Sequence, residues 1–125
     1  MKRYDYYEAV KNDAIDAILE NINWNEDYLT THDESDIYDD LWIDDSVTGN
    51  ASGSYTFSTW EAEENVCHNL DLLGEALYEF GCDASYLAEH GAEAADVTIR
   101  CYVLGQVIGE AVEEVERIRE EAEEV

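Results

Sequence analysis

The chain has 125 residues, 32 of them Asp or Glu against 6 Lys or Arg, and carries a formal net charge of −26 at pH 7. That length suits one domain around one core. That charge repels nucleic-acid phosphates and anionic membrane surfaces, so direct DNA, RNA or lipid binding is excluded and a basic protein surface becomes the natural partner.

No run of about 18 apolar residues occurs, as a membrane span would need. The opening Met1-Lys2-Arg3-Tyr4-Asp5 lacks the apolar stretch of a signal peptide. A cytoplasmic chain is therefore expected. Its three cysteines, Cys67, Cys82 and Cys101, are odd in number and form no Cys-x-x-Cys pair. Reduced, mostly buried thiols are expected rather than a disulfide framework or a zinc knuckle.

Proline is absent, which favours helices. Tyr7, Val10, Ala14, Ile18 and Ile22 recur at steps of three and four and predict an amphipathic helix from about Tyr4 to Asn23, with Asp13, Asp16 and Glu20 on its other face. Thr31 followed by Glu34 reads as a capping box opening a short helix. In it Ile37, Tyr38, Leu41 and Trp42 point one way and Asp33, Asp36, Asp39, Asp40, Asp44 and Asp45 crowd the rest.

A loop is predicted over about 46–58, where Ser46 to Ser54 is aperiodic and rich in turn formers, with a short extended piece at Tyr55 to Thr59. Ser58 and Glu61 form a second capping box, and Val66, Leu70, Leu73, Leu77 and Phe80 predict one continuous helix ending at Gly81. A brief helical turn follows from Asp83 to His90, stopped by Gly91.

In the last segment Val97, Cys101, Leu104, Ile108, Ala111, Val115, Ile118 and Ala122 alternate steps of four and three, a heptad seam on a long helix. Ile99, Val103 and Val107 make its opposite face apolar too, so other helices or a second subunit should surround it. Gly105 and Gly109, one turn apart, would admit a close backbone, either within the chain or from a second copy. Arg100 lies in this apolar half and should be held in a buried ion pair or against a helix C-terminus. The Glu-rich end, about 113–125, is expected to fray. The predicted fold is thus all-α: a single-domain helical bundle with a long C-terminal helix, taken as an elongated homodimer.

Catalytic patterns are thin. Glu64 and His68 miss the Glu-x-x-His spacing of di-iron sites because position 65 is Asn, and His-Glu-x-x-His is missing. Cys67 and His68 are adjacent on a helix and so diverge, with no oxyanion donor beside them. His32 and His90 read as solvated. No enzyme activity, metal or cofactor is expected.

The charge distribution is the most informative feature. From Asn12 to Ile99 there is no Lys or Arg, while that stretch holds 22 of the 32 acids. Helical proteins ordinarily intersperse both signs to gain i,i+4 pairs and limit self-repulsion. Duplex DNA carries one negative charge per roughly 1.7 Å of axis, so a net charge of this size corresponds to roughly 44 Å of duplex. A 30-residue helix spans roughly 45 Å. The dimensions suit a protein that occupies a DNA-binding groove in place of DNA.

The Tyr-rich N-terminus leading into Glu20-Asn21-Ile22 is followed by the Asp-rich run Asp33 to Asp45 and a central apolar helix. The final helix opens Asp96-Val97-Thr98-Ile99-Arg100 and closes in a Glu-rich tail. In this order of elements the chain resembles the Ocr-type antirestriction proteins of bacteriophages, acidic all-helical homodimers that mimic bent B-form DNA and block type I restriction-modification enzymes. The resemblance implies that Asp13, Asp16, Glu20, Glu26, Asp27, Asp33, Glu34, Asp36, Asp39, Asp40, Asp44 and Asp45 act as phosphate surrogates, with Glu113, Glu116 and Glu120 extending the array. It also implies a basic DNA-binding partner, a restriction-modification or other defence nuclease. The chain departs from the family in its Gly/Ser loop, its more apolar final helix and Arg117 and Arg119 in its tail. Val97, Cys101, Leu104, Gly105, Ile108 and Gly109 are candidates for a dimer or core seam. Three alternatives stay open: an anti-CRISPR DNA mimic, an acidic adaptor that recruits a partner through its apolar final helix, and an acidic domain whose charge serves solubility alone.

Overall fold

A computed structural model describes residues 4–49, 59–82 and 84–123. Every element among them is helical: α1 (Tyr6–Trp24), α2 (Tyr28–Thr31), α3 (Glu34–Trp42), α4 (Asp45–Thr48), α5 (Thr59–Cys67), α6 (Leu70–Phe80) and α7 (Ala84–Glu123). They form one helical bundle built on α7, which packs against α1, α3, α4, α5 and α6.

The Asp5 carboxylate starts α1 by accepting the Glu8 N–H at 3.2 Å. The predicted stripe is buried at Val10, Ala14, Ile18 and Ile22. Tyr6 takes the place expected of Tyr7, which lies exposed.

Two boundaries differ from the sequence expectation. The capping box of α3 is made by Asp33 and Asp36, not by Thr31 and Glu34. Thr31 instead ends α2, its hydroxyl donating to the Asp27 carbonyl at 2.9 Å. Asp33 can cap because it is extended, at φ −85° and ψ 179°, and accepts the Asp36 N–H at 2.9 Å. The predicted loop also starts later than expected. Asp44 accepts the Ser46 N–H at 2.9 Å and opens the single turn α4, which ends at Gly49 in the left-handed region, φ 85°. The extended piece at 55–59 and the Ser58 cap fall largely outside the described residues, and Thr59 opens α5.

The central helix is two helices rather than one. Asn69, 1% exposed, breaks it: its side-chain N–H donates to the Asn65 carbonyl at 2.8 Å and to the Tyr4 carbonyl at 3.2 Å. A side-chain amide that serves backbone carbonyls in this way competes with the helical ladder. The end of α6 is as expected. Gly81, φ 69°, closes it with the Gly81 N–H on Tyr78 O and the Cys82 N–H on Leu77 O.

Gly91, at φ 82° and ψ −169°, interrupts α7, and the long arm continues over 92–123, roughly 48 Å. Ile99, Val103 and Val107 are buried along with Leu104, Ile108, Ala111 and Val115. Both faces of this half are therefore covered, and the chain's own helices cover them.

Candidate functional site

The acids come first, because the fold decides which are free. Asp16, Glu20, Glu26, Asp27, Asp33, Glu34, Asp36, Asp39, Asp40, Glu113, Glu116 and Glu120 are exposed, whereas Asp13, Asp44 and Asp45 are half-buried. Asp33 and Asp36 cap α3 as well as facing water, and Asp44 caps α4. Asp40 accepts the Tyr28 hydroxyl at 2.8 Å. Asp13 is half-buried on α1. Burial pushes its carboxyl up, the charge of Arg100 partly offsets this, and Asp16 adds to the rise.

Two glycines set the course of the acidic surface. A Cβ on Gly105 would lie 3.5 Å from the Tyr38 ring, and one on Gly109 would lie 3.0 Å from Glu34 Oε1. The Tyr38 hydroxyl also donates to the Cys101 carbonyl at 3.2 Å. Thus α3 runs antiparallel to α7, with Glu34 opposite Gly109 and Tyr38 opposite Gly105 and Cys101. The close approach that Gly105 and Gly109 permit is occupied within the chain.

On α7, Gly105, Gly109, Glu113, Glu116 and Glu120 fall on one face by their steps of three and four. Beyond Gly109 that face extends past the start of α3. Exposed acids thus lie on both helices: Glu34 beside Gly109, Asp36, Asp39 and Asp40 on the side of α3 turned away from α7, and Glu113, Glu116 and Glu120 on α7. The start of α2 adjoins α3, since Asp27 precedes Tyr28, which reaches Asp40.

Exposed acids also occur at Glu61, Glu63, Asp71, Glu75 and Glu79 on α5 and α6, positions that the resemblance did not single out. Their signal was the base-free stretch itself. On the tail, Arg117 is held by Glu114 and Glu121 and so spends its charge locally.

Arg100 is the buried cation, 4% exposed, beside Asp96, 1% exposed. Its Nε donates to Asp96 Oδ2 at 3.1 Å and an Nη donates to the Tyr4 hydroxyl at 3.3 Å. The Tyr6 hydroxyl donates to Asp96 Oδ1 at 2.5 Å. Sequence reasoning required a partner for Arg100 without naming it; the four-residue spacing from Asp96 was the available signal.

Of the seam residues, Cys101, Leu104 and Ile108 are buried in the core, Gly105 is exposed, and Val97 and Gly109 are half-buried. Val97 and Cys101 line a cavity of about 290 Å³ with Trp42, Phe80 and Cys82. Burial pushes the Cys101 thiol up to about 12. Cys67 is exposed and Cys82 half-buried. Among the described residues no group of three or more His, Cys, Asp or Glu side chains is arranged to hold a metal ion, and no helix is long and apolar enough to cross a membrane.

No family model, curated protein or solved structure gives a significant match to the chain.

Proposed function

We propose that the protein is a DNA mimic that inhibits a DNA-binding defence enzyme, a type I restriction-modification enzyme in the first instance, by occupying its basic groove. The observation that carries this reading is the number of exposed carboxylates on the α1–α3 region and on α7, Asp16, Glu26, Asp27, Asp36, Asp39, Glu113 and Glu116 among them. No Lys or Arg interrupts the chain from Asn12 to Ile99. A groove built to grip phosphates with Lys and Arg would meet the same sign and a similar density of charge. Two copies placed end to end would offer a longer decoy. The adaptor reading is less favoured, because its apolar seam is already covered by the chain's own helices.

The test is inhibition of DNA cleavage by a purified type I restriction-modification enzyme titrated with the protein. The informative variant combines Glu34→Gln, Asp39→Asn, Glu113→Gln, Glu116→Gln and Glu120→Gln. It removes five exposed charges and spares the helix-capping acids Asp33, Asp36 and Asp44 and the Tyr28 acceptor Asp40. Wild-type protein should inhibit stoichiometrically and lose potency as salt rises. The variant should remain folded, inhibit weakly and show a flatter salt dependence. Equal potency of the two proteins would refute the reading.

A further inference from the structure

Trp24 is 86% exposed at the last turn of α1. The other two tryptophans have neighbours: Trp42 stands edge-on to Tyr38 and Phe80, and Trp60 lines a shallow cavity with Cys67 and His68. Among the described residues Trp24 has no ring partner, and apart from its indole N–H the whole ring faces water as apolar surface. Its backbone is fixed on both sides. The Asn25 N–H donates to the Asn21 and Ile22 carbonyls, and the Asp27 N–H donates to the Asn25 side chain at 3.1 Å. Glu20, Glu26 and Asp27, all exposed, lie within four residues of it along the chain.

We infer that Trp24 is a stacking platform for an arginine of the partner's phosphate-contacting surface. The partner's chemistry follows from the setting. Carboxylates around an indole attract a cation, and of the two cationic side chains the planar guanidinium both stacks on an aromatic face and pairs side-on with a carboxylate. Arginine is also a principal contact of proteins that grip the DNA backbone. An indole is a large contact surface with only two side-chain torsions, and tryptophan is enriched among interface anchors. The inference rests on the decoy reading and adds to it a contact that is not made by charge alone.

The experiment uses the full-length protein with two probes, oligoarginine and oligolysine peptides of equal length, titrated at several salt concentrations. Wild-type protein should prefer oligoarginine. Trp24→Ala should weaken oligoarginine binding about three- to tenfold and leave oligolysine binding and the salt slope nearly unchanged. Trp24→Phe should keep part of the preference and Trp24→Leu should lose it, since leucine supplies apolar area without a π face. An arginine preference equal in wild type and Trp24→Ala, or equally restored by leucine, would overturn the inference while leaving the decoy reading intact. Binding of either peptide that is indifferent to salt would overturn the decoy reading itself. Circular dichroism of each variant confirms that α1 is retained.

Discussion

The Tyr6 hydroxyl and the Asp96 carboxylate, 90 residues apart in sequence, meet inside the bundle at 2.5 Å. Both residues are buried, and Asp96 also holds Arg100. Tyr6→Phe leaves a buried carboxylate oxygen without this donor and should cost about 1–3 kcal/mol. Asp96→Ala strands the Arg100 charge and should cost about 3–5 kcal/mol. Urea unfolding monitored by circular dichroism measures both, with the larger loss expected for Asp96→Ala.

The same interior makes the fold sensitive to alkali. Burial raises the Cys101 thiol to about 12. It also raises the phenols of Tyr6, Tyr28 and Tyr38, with Asp96 adding to the first and Asp40 to the second. In the unfolded chain a thiol ionises near roughly 8.5 and a phenol near roughly 10. Above those values the unfolded state binds fewer protons than the folded state, so stability falls as pH rises. The fall should begin near pH 8.5, reach about 2 kcal/mol from Cys101 alone by pH 10, and steepen as the tyrosines join. Cys101→Ala should remove the first part of the decline, as read from urea midpoints between pH 7 and pH 10.5.

Gly105 offers a test of the α3–α7 crossing. A Cβ there would make ordinary contact with Tyr38 at 3.5 Å, so alanine fits and the helix gains its propensity. Gly105→Ala should therefore raise stability by up to about 1 kcal/mol. Gly105→Leu should displace Tyr38 and lower it. Thermal melts of the two variants should move in opposite directions.

Asn69 ties the α5–α6 junction to the N-terminus through the Tyr4 carbonyl. Asn69→Ala should cost about 1–3 kcal/mol by leaving buried carbonyls short of a donor. Hydrogen exchange should show the loss of protection centred on the start of α1 and on the α5–α6 junction, not on α3.

The long elements were legible from the sequence because their apolar residues keep a helical period and their ends carry strong punctuation. The α1 stripe, the Gly81 stop and the Gly91 break are of that kind. What could not be read depended on partners distant in the chain. The split at Asn69 needs the Tyr4 carbonyl, 65 residues away. Asp13 reads as a surface acid in the sequence, but the packing of α1 half-buries it within reach of the Arg100 charge. The capping box moved from Thr31 to Asp33 because α2 takes Thr31 for its own last turn. The approach of Glu34 to Gly109 was not legible either, because it is a tertiary contact between α3 and α7.

The most direct measurement is a competition between the protein and duplex DNA for a purified type I restriction-modification enzyme, followed by analytical ultracentrifugation with fluorescently labelled DNA. If the exposed carboxylates take the place of phosphates, each equivalent of protein bound should release labelled duplex, and raising the salt should weaken protein binding. A stable complex holding enzyme, DNA and protein together would contradict it, because a decoy and its original cannot share one groove.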